Sequence, residues 1–142
     1  MNLNLNLENK VAVVTGSSRG IGKAIAQGFF NQGCKIALIS RNEDDLKLAQ
    51  IEIGENSENI KIYPCDISNF KKVQNIFKNI INDFGVIDIL VNNAGLTKDN
   101  LVLRIKEQDW DMVLDVNLKG CFNTVKAVTK PMIRNKSGRI IN

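Results

Sequence analysis

Short β-branched apolar runs alternate along the chain with longer stretches whose apolar residues recur at helical spacing. The runs are Val11-Ala12-Val13-Val14, Lys35-Ile36-Ala37-Leu38-Ile39, Ile60-Lys61-Ile62-Tyr63, Ile87-Asp88-Ile89-Leu90-Val91 and Arg139-Ile140-Ile141. Between them the spacing predicts helices near 20–32, 43–54, 69–84 and 107–134. The first, second and fourth runs are almost continuously apolar, as strands covered on both faces should be. The expected fold is therefore α/β: a three-layer, doubly wound parallel sheet that stops after its fifth strand.

Punctuation sets the limits of these elements. Gly33 is expected to cap the first helix at its C-terminus, and Asn42 to cap the second at its N-terminus. Glu43, Asp44 and Asp45 would then complement the dipole in the second helix's first turn. Gly54, Pro64, Gly85 and Ser137-Gly138 fall at element ends, whereas Pro131 sits inside the last helical pattern, where it should kink the helix or end it early. The Asn-Leu alternation of the first seven residues reads as a frayed lead-in.

Composition narrows the chemistry. A chain of 142 residues holds one domain, taken as residues 1–142, and 44% hydrophobic against 24% charged residues is a globular balance. No apolar run reaches the roughly 18 to 20 residues of a membrane span, and no basic-then-apolar leader opens the chain, so the reading is soluble and cytoplasmic, with no membrane partner. The net charge of +4 is dispersed, which argues against nucleic acid as a partner. Cys34, Cys65 and Cys121 are far apart and there is no His, so metal ligation is not expected, and His-dependent nucleophilic catalysis is excluded. Three buried, inert thiols are expected instead.

The first strand runs into Thr15-Gly16-Ser17-Ser18-Arg19-Gly20-Ile21-Gly22, which opens the first helix. The spacing is G-x-x-x-G-x-G rather than G-x-G-x-x-G, but the physics is shared. Gly16 can make the tight turn, Gly20 can let backbone approach a diphosphate, and Gly22 can let the helix pack closely, with the anion on free N–H groups at the helix start. The alternative is a glycine-rich turn with no ligand. At the end of the second strand, where an acid would bond a ribose 2′-hydroxyl, stand Ser40-Arg41-Asn42. Arg41 together with Arg19 could hold a 2′-phosphate from two sides, which favours NADP(H) over NAD(H); otherwise both are solvated charges.

Asn92-Asn93-Ala94-Gly95 leaves the fourth strand, Asp66 ends the third, and Asn117 interrupts the long helix. With the glycine loop and the alternating elements, these motifs make the whole chain resemble the short-chain dehydrogenase/reductase family, a Rossmann-type fold. That resemblance implies cofactor contacts from Gly16, Ser18, Arg19, Gly20, Ile21, Gly22 and Arg41. It also implies that Asp66 and the backbone of Ile67 meet the adenine; for Asp66 the alternative is a turn acid ahead of Ser68. Asn92, Ala94 and Gly95 would line the cleft and tie the fourth strand to Thr15. Asn117 would be the family's catalytic helix-kinking Asn, its main-chain carbonyl holding a water of the proton relay.

Within the family, Thr97-Lys98-Asp99-Asn100-Leu101, Arg104 and Trp110 look most like the 3-oxoacyl-carrier-protein reductases of fatty-acid synthesis, although other alcohol and ketone reductases share much of the pattern. The implied substrate is a β-ketoacyl thioester, carried on acyl carrier protein. Lys136 with Arg134 and Arg139 falls where such reductases place a basic patch for that partner, or is simply a set of solvated cations. The complete protein would be a homotetramer. The family's Ser and Tyr-x-x-x-Lys cannot be placed in residues 1–142: Tyr63, the sole tyrosine, precedes Pro64-Cys65-Asp66-Ile67. These 142 residues alone are therefore expected to be inactive, and a non-catalytic NADP-binding module is the competing reading. An open sheet edge at Ile140-Ile141 should also favour association.

Overall fold

A computed structural model describes residues 5–142. Five strands form one parallel sheet: β1 (Val11–Thr15), β2 (Lys35–Ser40), β3 (Ile60–Pro64), β4 (Ile89–Val91) and β5 (Arg139–Ile141), in the order β3-β2-β1-β4-β5. Helices α1 (Gly20–Asn31), α2 (Glu43–Gly54) and α3 (Phe70–Phe84) follow the first three strands. Between β4 and β5 lie a 3₁₀ turn (Val102–Arg104), α4 (Glu107–Leu114), a π-helical segment (Asp115–Lys119) and α5 (Gly120–Arg134). The expected α/β, doubly wound arrangement is the one observed.

Alternation along the central strands divides the core into two layers. Ala12, Val14, Ile36 and Leu38 point to one side and pack with Ala26 of α1 and Leu46, Ala49 and Ile53 of α2. Val13, Ala37, Ile39 and Leu90 point to the other and pack with Val73, Phe77 and Ile80 of α3 and Val128 and Met132 of α5. Every residue of β1 is buried, which is why its sequence shows no polar alternation.

Several element limits differ from the expectations, each for a local reason. The fourth strand begins at Ile89 rather than Ile87, because the Asp88 carboxylate turns back to accept the Val11 N–H at 2.9 Å and the Lys10 ammonium at 3.3 Å. Gly33 is not the cap residue of α1. Gln32 is, and Gly33 follows it with a φ of +83° that suits glycine. Asn69 caps α3 instead of lying within it, accepting the Lys72 N–H at 3.0 Å, as Asn42 accepts that of Asp45. Pro131 does not end the last helix, which continues to Arg134. Cys121 is only half-buried, while Cys34 and Cys65 are buried. The lead-in is not wholly frayed: residues 1–4 lie outside the described residues, but Leu7 packs on the α1–α2 layer and its carbonyl accepts from the Cys34 thiol at 3.2 Å. Among the described residues, no helix is long and apolar enough to cross a membrane.

Candidate functional site

Strand order reverses at β1, whose two neighbours β2 and β4 send their connections to opposite faces of the sheet. A crevice opens at such a point beyond the carboxyl ends of the strands. Here it is a cleft of about 410 Å³ walled by the glycine loop after β1, the Ser40-Arg41-Asn42 turn after β2, Cys65-Asp66-Ile67 after β3 and Asn93-Ala94-Gly95-Leu96 after β4.

The glycine loop is built by close backbone approaches. Gly16 has φ +65°, and a Cβ on it would lie 2.8 Å from the Ala94 Cα. At Gly22 a Cβ would lie 2.2 Å from the Gly16 carbonyl oxygen and 2.4 Å from the Asn93 amide nitrogen. Gly22 therefore seats α1 on the loop itself. Gly20 differs: its φ is +57°, yet a Cβ there would meet no atom within 4 Å, so backbone is presented to open space. Arg19, the cap residue of α1, makes no side-chain cap bond, which leaves the first-turn N–H groups of the helix available to an anion.

Side chains around the loop hold it in place. Thr15, fully buried, donates its hydroxyl to the Val91 carbonyl at 3.3 Å and accepts the N–H groups of Asn93 and Ala94 at 3.1 and 3.0 Å. Ser17 accepts the Ile39 N–H at 3.0 Å, fastening the loop to β2, and the Ser18 and Ser40 hydroxyls meet at 3.1 Å. Both Arg19 and Arg41 are exposed at the cleft, and among the described residues neither is ion-paired. Two free guanidiniums beside a glycine loop suit a phosphate-bearing ligand.

Asp66 combines the two roles weighed for it. Its Oδ1 accepts the Ser68 N–H at 3.0 Å and the Ser68 hydroxyl at 2.7 Å, as a turn acid does, while the residue also lines the cleft. Cys65 stands next to it. Burial, reinforced by the neighbouring Asp66 charge, pushes its thiol up to about 11, so the sulfur stays protonated at neutral pH.

Of the expected site residues, Gly16, Ser18, Arg19, Gly20, Ile21, Arg41, Asp66, Ile67, Ala94 and Gly95 line the cleft, with Gly22 directly beneath the loop. Asn92 does not. Its Oδ1 accepts from the Thr124 hydroxyl at 2.6 Å, and its Nδ2 donates to Asn142 at 2.8 Å, so this side chain ties β4 to α5. Asn93 takes the position expected of Asn92: its Nδ2 donates to the carbonyls of Thr15 and Gly16, both at 3.1 Å. The two-residue period could have found this, since Asn93 continues the face of Ile89 and Val91 towards α1, whereas Asn92 continues that of Leu90 towards α5. Ser40 and Asp45 line it from the turn after β2 and the first turn of α2, while Leu96 and Val116 line it and carry no motif in the sequence.

Asn117 sits in the π-helical segment. Its Oδ1 accepts the Leu96 N–H and its Nδ2 donates to the Leu96 carbonyl, each at 2.9 Å. This pair of bonds joins the long helix to the segment leaving the cleft. Tyr63 lies elsewhere, buried at the end of β3 with its hydroxyl donating to Asp83 at 2.6 Å. Burial, then the bond to Asp83 and its charge, raise its pKa well above the ordinary tyrosine value.

A glycine loop, a polar cleft at the point of strand reversal and a π-helical Asn are the features of a dinucleotide-binding oxidoreductase domain, and the chain belongs to the short chain dehydrogenase family, whose model matches residues 10–142. Its relatives narrow the kinship. It is 41% identical over 138 residues to the 3-oxoacyl-[acyl-carrier-protein] reductase FabG of Vibrio cholerae serotype O1, covering 97% of this chain and 55% of that protein. Identity to the enzyme of the same name from Staphylococcus epidermidis is 42% over 135 residues, covering 94% and 55%. For that of Salmonella typhimurium it is 37% over 137 residues, covering 96% and 55%. The chain thus spans about half the length of the curated relatives it matches.

Proposed function

We propose that this chain is the NADP(H)-binding part of a ketoreductase that reduces β-ketoacyl thioesters. The observation that carries the reading is the cleft itself, which is lined together by the open backbone at Gly20 and the unpaired Arg19 and Arg41. Gly16, Ser18, Gly20, Ile21 and Gly22 would hold the diphosphate, Arg19 and Arg41 the 2′-phosphate, and Asp66 with the Ile67 backbone the adenine, while Ala94 and Gly95 floor the cleft. The donor set fits the group, since an exposed pair of cations with no carboxylate partner matches a phosphate better than a bare hydroxyl. When bound, the reduced cofactor supplies a hydride to the substrate's keto carbon.

Resemblance to the 3-oxoacyl-[acyl-carrier-protein] reductases supports the substrate class, with acyl carrier protein as the bearer of the thioester and Lys136, Arg134 and Arg139 as the cations that would meet its acids. In the whole protein, Asn117 would carry the proton-relay water on its main-chain carbonyl. The whole protein would work as a cytoplasmic homotetramer.

One experiment tests the assignment. Calorimetric titration should give tighter binding of NADP⁺ than of NAD⁺, and Arg41→Asp should reverse the order; a preference unchanged in the variant contradicts the role given to the arginines. The competing reading is a nucleotide-binding module without turnover; Tyr63 takes no part in the cleft, its hydroxyl being bonded to Asp83. Purified residues 1–142 are expected to show no NADPH oxidation with acetoacetyl thioesters.

A further inference from the structure

The loop that carries Asp66 and Ile67 is gripped by a residue outside its own strand and helix. Asn123, on α5 and fully buried, donates from Nδ2 to the Ile67 carbonyl at 2.8 Å and to the Ser68 carbonyl at 3.3 Å. Its own main-chain carbonyl accepts from the Gln74 side chain at 3.1 Å, which adds α3 to the joint. One turn earlier, Gly120 makes room for the same loop: a Cβ there would lie 2.6 Å from Ile67 Cδ1 and 2.8 Å from Cγ1. Two independent features of α5 therefore converge on Ile67, one by bonding and one by vacating space.

Energetics make the amide unusual as a filler. Asn is a weak helix former, and the Oδ1 of Asn123 is buried without a partner. Leucine would occupy a similar volume with no orphaned acceptor, so what the amide adds is its hold on two loop carbonyls. With the Ile67 carbonyl so engaged, its N–H is the backbone group left to meet a ligand. Asp66 is bonded to Ser68 through Oδ1, which leaves Oδ2 for the same purpose.

We infer that Asn123 is a positioning residue for base recognition, fixing the Asp66-Ile67-Ser68 turn so that this wall of the cleft selects adenine. This rests on the NADP(H) reading above. Losing the two bonds lets the turn shift, and the base contacts weaken while the phosphate contacts, made by other loops, persist.

The test compares NADP⁺ with its hypoxanthine analogue, which lacks the exocyclic amine that a carboxylate can accept from, and uses inorganic pyrophosphate as a control for the glycine loop. The wild-type chain is expected to prefer NADP⁺ by about 5-fold, the worth of one net hydrogen bond. In Asn123→Leu the ratio should fall towards one with pyrophosphate affinity unchanged, and in Asn123→Ser, which keeps one donor, it should be intermediate. A ratio that survives in Asn123→Leu overturns the inference, as does joint loss of base and pyrophosphate binding. Unfolding of both variants overturns it too, by making Asn123 a residue of the fold. Equal, measurable affinity of the wild type for both nucleotides overturns the inference alone, whereas no binding of NADP⁺ to the wild type contradicts the cofactor reading, and the inference falls with it.

Discussion

Tyr63 illustrates how a single hydroxyl in the core links stability to pH. Burial and the Asp83 carboxylate both favour its neutral form, so its folded pKa lies above the unfolded value of about 10. A pKa raised by folding contributes stability that is complete below pH 10 and is lost as pH rises towards the folded value. Urea unfolding of Tyr63→Phe is therefore expected to show a loss of about 1.5 kcal/mol at pH 8, from the bond to a charged acceptor. Above pH 10 the gap between variant and wild type should narrow. A gap that is constant from pH 8 to 11 would contradict this account. Strand phase, not residue identity, decided the Asn92-Asn93 pair. The motif was legible as a turn after β4, but which amide enters the cleft depends on strand phase, and a reading by motif alone assigns the wrong one of two identical side chains.

At the scale of elements, strands were the most legible parts, because burial on both faces writes itself into continuous apolar runs such as Val11–Val14. Helix limits were less so. Asn69 caps α3 with its side chain, so the helix begins one position later than the apolar pattern, Gln32 caps α1 through its backbone N–H, which no residue type announces, and Pro131 is accommodated near the end of α5 without terminating it. The long helical pattern from 107 to 134 hid a change of winding. Asn117 stood out as an interruption, yet its partner, the backbone of Leu96, carries no residue-type signal at all. This pair predicts a local effect: Asn117→Ala should speed amide exchange at Leu96 and through the π-helical segment, with global stability lowered by about 1 to 2 kcal/mol for two bonds at an exposed site. Exchange at Leu96 matching that of the wild type would remove the bracket from the account.

Over the whole molecule, the α/β doubly wound class followed from the alternation of strands and helices, and the glycine loop after the first strand marked one side of the site. The rest of the cleft wall did not follow, because Leu96 and Val116 reach it only through tertiary packing. The surface adds a further consequence. Ile140 and Ile141 on the edge strand are 39% and 49% exposed, and Phe122 and Ile133 on α5 are 57% and 70% exposed. Exposed apolar area and an open strand edge each favour self-association. Sedimentation of the chain is expected to show concentration-dependent oligomers that Ile133→Lys reduces, whereas a monomer at all concentrations would contradict this.

The central claim is that the cleft between the glycine loop, Arg41 and Asp66 holds NADP(H). A crystal structure of the chain grown with NADP⁺ tests it most directly. Diphosphate density at Gly20 with the 2′-phosphate between Arg19 and Arg41 is the predicted result, and cofactor bound elsewhere, or none at saturating concentration, would contradict it.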